Sequence, residues 1–203
     1  MLQFNFLLFG SRTSRMREMV GDFLRKGPDE LRDPFVAHEF MYKNLLPLNI
    51  IFAFCENSQM VREMGEKLGE FADLMFCFDV NDAESYHTIT PEIVSEIREI
   101  VGSQNPILIG YDLTGGSARR VSRDDILTFA QEEDFCYYFE VQPKTKFDFK
   151  ALFQRLVKED LAEFKLKFPE QYDQEVKEAR EAALEAKKKA EAENAELAER
   201  QRD

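Results

Sequence analysis

Three arginines that follow the first apolar run of the chain form the densest group of residues able to do chemistry. The run at residues 6–9 ends at Gly10, and Arg12, Arg15 and Arg17 come directly after it. Where a helix begins, backbone N–H groups and positive side chains together favour an anion. Two interpretations stay open. The arginines hold an anion, such as a phosphopeptide or an acidic partner protein, or they form a solvated basic turn on an acidic protein.

The histidines and cysteines give no sign of a metal or nucleophilic site. Neither His38 nor His87 has a cysteine or carboxylate at metal-ligand spacing, and no Gly-x-Ser-x-Gly elbow is present. Cys55, Cys77 and Cys136 each lie in or beside an apolar run, which predicts three buried, reduced thiols in a reducing compartment. We therefore expect no metal, no cofactor and no catalytic residue.

The elements that must position these residues alternate between short apolar runs and amphipathic helical segments. Several runs are almost continuously apolar, as strands buried on both faces of a sheet are. Strand–helix alternation predicts an α/β fold with right-handed crossovers and a mostly parallel sheet. Residues 36–46 and 48–54 have no helix between them and predict a hairpin joined through Pro47, with an antiparallel edge strand. The six runs are residues 2–9, 36–46, 48–54, 74–80, 106–112 and 135–141.

Charge and hydropathy exclude several classes of partner. The formal net charge is −12 and the isoelectric point is near 4.8, whereas nucleic-acid binding needs a basic face. An acidic surface is also a poor fit to anionic lipid, and no apolar run is long enough for a membrane span. Leu2 stands where myristoylation needs glycine, and the chain ends without a prenylation cysteine. We expect a cytoplasmic protein without a lipid anchor, whose partners are proteins.

Composition changes after Pro169, where Ala, Glu, Lys and Arg dominate. This predicts a domain at residues 1–168 and a charged helical extension at residues 169–203. Val176, Leu184 and Leu197 form a thin apolar seam and are candidate partner-binding residues. No heptad is sustained, so a solvated single helix and a partner-binding or coiled-coil helix both stay open. We expect the extension to project from the domain.

Residues 72–157 carry a resemblance to a known family. Residues 72–86 read Ala-Asp, an apolar strand, then Asp-Val-Asn-Asp-Ala-Glu-Ser-Tyr. This is similar to the fourth strand of Ras-superfamily small GTPases of the Ras and Rab type. Residues 120–130 resemble that family's Gln-Val-Ser-Arg-Glu-Glu helix, and residues 139–157 resemble its last strand and helix. The resemblance implies a Ras-like P-loop NTPase fold, with a mostly parallel six-stranded sheet and helices on both faces.

The family's phosphate loop is only partly matched. That loop reads Gly-x-x-x-x-Gly-Lys-Ser/Thr, in which glycine backbone approaches the phosphates, the lysine neutralises their charge and the hydroxyl binds Mg²⁺. Aligned with it, Gly10 matches, Arg15 replaces the second glycine, Met16 replaces the lysine and Arg17 replaces the hydroxyl. The resemblance thus implies that the main phosphate and Mg²⁺ contacts are missing.

The other nucleotide-binding motifs leave single residues. The family's Asp-x-x-Gly aligns with residues 55–58, where Cys55 and Ser58 replace its two defining residues. Residues 26–47 contain no threonine for a first switch region. What remains of the nucleotide site is Gly10, Gln59 at the water-orienting position, Asp112 at the base-reading position and Lys144 of the Ser-Ala-Lys motif.

Framework segments that match, with mismatches at ligand positions, are typical of a pseudo-GTPase. The resemblance therefore predicts a non-catalytic protein–protein interaction or scaffolding subunit of a larger assembly. Family members without a lipid anchor work in cilia and on the cytoskeleton, so the assemblies that we consider are cytoskeletal, ciliary or trafficking complexes. The alternative is a divergent GTP-binding protein with weak or slow GTPase activity.

Overall fold

The fold was obtained as a computed structural model that describes residues 1–102, 106–143, 145 and 148–200, with side chains described up to residue 193. Within these residues, six strands form one sheet in the order β2-β3-β1-β4-β5-β6. Strand β2 is antiparallel to β3, and every other neighbouring pair is parallel. The strands are β1 Leu2–Phe9, β2 Phe35–Tyr42, β3 Leu46–Cys55, β4 Asp73–Asp79, β5 Ile107–Tyr111 and β6 Tyr137–Val141.

Helices cover both faces of this sheet, which confirms the predicted α/β class. The described α-helices are α1 Met16–Leu24, α2 Ser58–Leu68, α3 Ala83–His87, α4 Pro91–Val101, α5 Arg123–Glu132, α6 Phe149–Lys167 and α7 Pro169–Arg200. Buried residues of α1 and α6 share one apolar cluster with alternate residues of β1 and β3. Buried residues of α2, α4 and α5 share the cluster on the opposite face. None of the described helices is both long and apolar enough to cross a membrane.

Phenylalanine rings fill the α1/α6 side of the core. Phe153 of α6 lies 4.9 Å from the ring of Phe23, 5.5 Å from that of Phe52 and 5.6 Å from that of Phe6. Tilted and edge-on rings at such distances attract beyond their area burial, by about 0.5–1.5 kcal/mol a pair. This cluster fixes α1, and therefore the loop before it, against the sheet.

The hairpin is confirmed, but the prediction that it turns at Pro47 is wrong. The turn lies at Lys43 and Asn44, whose φ angles are 50° and 54°, the left-handed conformation that two-residue hairpin turns require. Pro47 lies within β3, opposite Met41. A proline is tolerated there because β1 begins to pair with β3 only at Leu48, so this end of β3 has one hydrogen-bonded neighbour.

The segment after Pro169 is helical as predicted, but it does not project over its whole length. Tyr172, Val176 and Ala179 pack into the α1/α6 side of the core, and α7 contacts both β3 and α6. The terminal amino group of Met1 forms an ion pair with Glu175, with N and Oε1 2.9 Å apart. The described side chains of residues 181–193 are all exposed. Residues spaced by four and three positions share one helix face, so these three side chains dock about two turns of α7. The domain boundary at residue 168 stays a prediction.

Candidate functional site

A cavity of about 870 Å³ opens at the carboxyl ends of β1, β3 and β4. Its lining includes Arg12, Arg15 and Arg17, together with Glu56 after β3 and Asp79 at the end of β4. Open α/β sheets bind ligands outside the carboxyl ends of their strands, and this volume falls in the range of small-molecule sites. The structure therefore brings the predicted arginines together around the position where this fold class binds ligands.

The loop that borders the cavity starts at Gly10 for a steric reason. A Cβ atom at Gly10 would lie 2.4 Å from the carbonyl oxygen of Cys77 and 2.8 Å from Oγ of Ser14. The Gly10 N–H donates to the carbonyl of Cys55 at 3.0 Å. Glycine is thus required here by the close approach of β1, β3 and β4, whether or not a ligand binds.

Arg15 occupies a left-handed position and faces two carboxylates. Its φ is 58°, a conformation that costs a residue with a Cβ atom about 1–2 kcal/mol. Its Nε donates to Oδ2 of Asp79 at 2.6 Å, and Nη1 donates to Oε2 of Glu18 at 2.8 Å. These bonds, with Glu18 first and Asp79 second, raise the pKa of the Arg15 guanidinium. The Asp79 side chain is only 5% exposed, so Arg15 supplies the countercharge of a buried carboxylate.

The other two arginines also have partners within the protein. Arg17 donates through Nη1 to the carbonyl oxygens of Leu31 and Asp33, the second at 2.7 Å. Arg12 pairs with Glu56, with Nε and Oε2 2.9 Å apart, although its side chain is 88% exposed. The three guanidinium groups thus surround one cavity, and each binds groups of this chain. A site at which all three grip one anion would require these bonds to be exchanged.

Asp112 lies at the predicted base-reading position but serves its own loop. It is buried, and its Oδ1 accepts from the N–H of Thr114 at 2.9 Å and from the Thr114 hydroxyl at 3.0 Å. Its Oδ2 accepts from the side-chain amide of Gln142 at 3.3 Å. Lys144 lies outside the described residues. Asp112 therefore organises residues 112–118, and it is not among the residues that line the cavity.

In the segment aligned with the Mg²⁺-side motif, Glu56 pairs with Arg12, whereas the neighbouring Gln59 bonds within its own helix. Gln59 is exposed, and its side-chain amide donates to Glu63 at 3.1 Å. Cys55 is buried, which raises the pKa of its thiol to about 12. Cys77 is also buried, but Cys136, which directly precedes the edge strand β6, is exposed, so the prediction of three buried thiols is wrong for Cys136. Strand β6 has a neighbour on one side only, so the residue before it is less covered than the residues of the inner strands.

Two of the three predicted partner-binding residues of α7 can be placed. Val176 is half-buried against the core, so it stabilises the attachment of α7 and is not a free contact. Leu184 is 54% exposed. The side chain of Leu197 lies outside the described part of the chain.

Sequence reasoning missed Asp79, which is the buried partner of the loop. Its signal was present, because Asp79 is a carboxylate at the end of an otherwise apolar strand. Glu18, on α1, was missed as well, since an acidic residue in the first turn of a helix is common and carries no information about a loop.

A second group of carboxylates lies at the opposite edge of the sheet. Asp73 of β4 and Asp160 of α6 border one cleft, together with Glu70, Glu159 and Glu163. The pKa of Asp73 is raised to about 7 and that of Asp160 to about 8. Burial is the main cause of both shifts, and the charge of the neighbouring carboxylates is the second. Their Oδ2 atoms are buried without a hydrogen-bond partner among the described residues. The pair is a local cost to stability, remote from the arginine loop.

A comparison with models of protein families gives a match. The sequence model described as "Ras family" matches residues 61–162 of this chain. This range runs from α2 to α6 and contains the segments at residues 72–86 and 120–130. A search of curated proteins gives no match.

Proposed function

Because the chain belongs to the Ras family, we propose that it is a non-catalytic member, a pseudo-GTPase that works as a protein–protein interaction or scaffolding subunit. The observation that carries the proposal is the ion pair between Arg15 and Asp79 in the cavity at the strand ends. In a working phosphate loop this position is a glycine whose backbone touches phosphate. Here an arginine stands at that position and its guanidinium group bonds to Asp79 and Glu18. Met16 and Arg17 stand where the family has its lysine and Mg²⁺ hydroxyl.

The base side supports the same proposal. The carboxylate of Asp112 already accepts three hydrogen bonds from its own loop and from Gln142. Reading a guanine base would require it to give up some of these bonds, and a buried donor left unpaired costs about 1–3 kcal/mol.

A partner of protein type fits the surface chemistry best. The net charge of −12 disfavours nucleic acid and anionic lipid. Helix α7 carries Leu184 in a stretch, residues 181–193, whose described side chains are all exposed. We propose that the protein works in a cytoplasmic assembly of the cytoskeletal, ciliary or trafficking kind, held by protein contacts.

The second candidate function is a divergent GTP-binding protein with weak or slow GTPase activity. The size of the cavity, about 870 Å³, favours it, since a nucleotide needs a site in the upper part of the usual range. The two candidates differ in what the arginines do, because a nucleotide would have to displace Asp79 or Glu18 from Arg15.

Calorimetry with GTP, GDP and ATP in the presence of Mg²⁺ tests the proposal. Loss of several charged phosphate contacts, each worth about 1.5–3 kcal/mol, predicts no binding at micromolar nucleotide. The nucleotide content of the freshly purified protein is measured in parallel. Stoichiometric guanine nucleotide would refute the proposal, and if Asp112→Asn abolished that binding, the divergent GTP-binding protein would be the correct reading.

A further inference from the structure

The guanidinium group of Arg17 joins α1 to the segment that precedes β2. Arg17 is the second residue of α1, and its Nη1 donates to the carbonyl oxygens of Leu31 and Asp33. Its guanidinium carbon lies 4.5 Å from the centroid of the Phe54 ring in β3. One side chain of α1 therefore contacts the segment before β2 through two charge-assisted hydrogen bonds and β3 through a cation–π contact.

The same segment is attached at two further points. Leu31, at the end of the 3-10 turn Pro28–Leu31, is buried and packs so close to Gly21 that a Cβ atom there would lie 2.8 Å from its Cδ1. The carbonyl of Pro34 accepts from the N–H of Phe54 at 2.7 Å. Between these two points the backbone carbonyls of residues 31 and 33 turn toward Arg17.

Without Arg17 the two carbonyls would lose a positively charged donor, and the Leu31 carbonyl would lose it in a partly buried position. Backbone carbonyls that leave water need a partner, and a segment with few other bonds opens easily when its partner is lost. The other attachments of this stretch are the short 3-10 turn, the Leu31 side chain and the bond from the Phe54 N–H to the Pro34 carbonyl. The bonds of the Arg17 guanidinium group therefore determine whether residues 28–34 have one conformation or several.

We propose that Arg17 is an internal cation that holds residues 28–34 and the start of β2 in a single conformation, so that this surface is ordered without any bound ligand. The inference rests on the proposed function, because it concerns the surface that a module without a nucleotide would present. It makes the segment constitutively ordered rather than responsive to a nucleotide or metal ion. Arg17 acts here as a positioning residue, through the backbone that it holds.

Amide hydrogen exchange on the full chain tests the proposal. Wild type is compared with Arg17→Met, which keeps a long side chain on Phe54 but removes the charge and the donors, and with Arg12→Met as the exposed control. We expect the amide hydrogens of residues 29–33 and of Phe54 to exchange at least about tenfold faster in Arg17→Met, since each lost bond is charge-assisted. Exchange in Ile107–Tyr111 of β5, which Arg17 does not contact, should stay as in wild type. Arg12→Met should match wild type throughout.

Arg17→Lys keeps the proposal testable if the methionine variant does not fold. Lysine retains the charge but lacks the planar group that bonds two carbonyls while it stacks on a ring, so a smaller increase confined to residues 28–34 is expected. Unchanged exchange of this segment in the folded variants would overturn the proposal, and so would an equal increase over the whole sheet. In a separate arm, slower exchange of wild type in millimolar GTP and Mg²⁺ would refute the proposed function, whereas the comparison of variants would still decide the role of Arg17.

Discussion

Replacing Arg15 by alanine leaves the Asp79 carboxylate in the protein interior without its countercharge. Asp79 keeps one bond, from the N–H of Asn81 at 2.8 Å, but loses the bond from the guanidinium at 2.6 Å. Arg12→Ala is the matched control, because it removes the same side chain from the same loop at a position that is 88% exposed.

The expected magnitudes differ because the two arginines differ in what they neutralise. A hydrogen bond to a charged group in a partly buried site is worth about 1.5–3 kcal/mol, and the exposed pair with Glu18 adds about 0.3–0.5 kcal/mol. We expect Arg15→Ala to lower the free energy of unfolding by about 2–3 kcal/mol. In a chain of this size 1 kcal/mol corresponds to about 2–4 °C in Tm, so Tm should fall by about 4–12 °C. Arg12→Ala should cost about 0–1 kcal/mol.

Thermal and urea unfolding of the two variants, beside Asp79→Asn and the Arg15→Ala/Asp79→Asn double variant, gives the coupling energy directly. The reasoning requires a coupling of about 1 kcal/mol or more between positions 15 and 79. Arg15→Gly should lose less stability than Arg15→Ala, since glycine adopts the left-handed conformation without strain. Arg15→Ala and Arg12→Ala could prove equally stable, and the stability losses of Arg15→Ala and Asp79→Asn could simply add in the double variant. The ion pair would then contribute nothing to stability, and the proposed function would lose its main support.

Three further expectations concern the frame around this site. Gly10→Ala should lower the free energy of unfolding by about 1–3 kcal/mol through overpacking, whereas Gly65→Ala, at an open position within α2, should be neutral or raise it by about 1 kcal/mol. Asp160→Asn should stabilise the protein at pH 8 by about 2 kcal/mol or more and change little at pH 4. The pKa of Asp160 is raised to about 8 in the folded protein, well above that of the unfolded chain. Ionised Asp160 therefore lowers the free energy of unfolding more and more as pH rises from about 4. Truncation after Arg180 should leave Tm unchanged, whereas truncation after Glu170 should lower it by several degrees, because it uncovers apolar core.

Each of these can fail in a way that is easy to recognise. Equal melting of the two glycine variants would contradict the close approach at Gly10. A pH-independent gain in Asp160→Asn would mean that the carboxyl group is destabilising for a reason other than its charge. If truncation after Glu170 left Tm unchanged, Tyr172 and Val176 would contribute nothing to the core, and the predicted boundary at residue 168 would describe the folding unit.

The strands and their mostly parallel arrangement were predictable, because strands buried on both faces of a sheet are nearly continuous in apolar residues. Residues 2–9 and 74–80 are almost uninterrupted in apolar side chains, and they became β1 and β4. The hairpin turn was misplaced because proline is the usual marker of a break. The true turn depends on two left-handed residues, Lys43 and Asn44, and of these only asparagine favours that conformation.

The site was predictable only as a position. The sequence placed three arginines after the first strand, but their partners come from distant parts of the chain, such as Asp79, which is 64 residues beyond Arg15. Pairing at that separation is decided by the register of β1 against β4, which no local pattern contains. The docking of α7 was missed for a related reason. Helix α7 itself supplies few apolar side chains, and most of the apolar surface in the contact belongs to residues before Pro169.

The attachment of α7 has a consequence for the helix beyond it. Forming the first turn is the costly step in helix formation, and later turns add at little cost. Tyr172, Val176 and Ala179 hold the early turns on the body, so the body nucleates the helix and the Ala-rich sequence after it only propagates. At 1.5 Å per residue, the 21 residues from Arg180 to Arg200 of α7 extend over about 30 Å. A partner bound along these residues would be held at a fixed distance and direction from the sheet. The number of residues in the helix would set that distance.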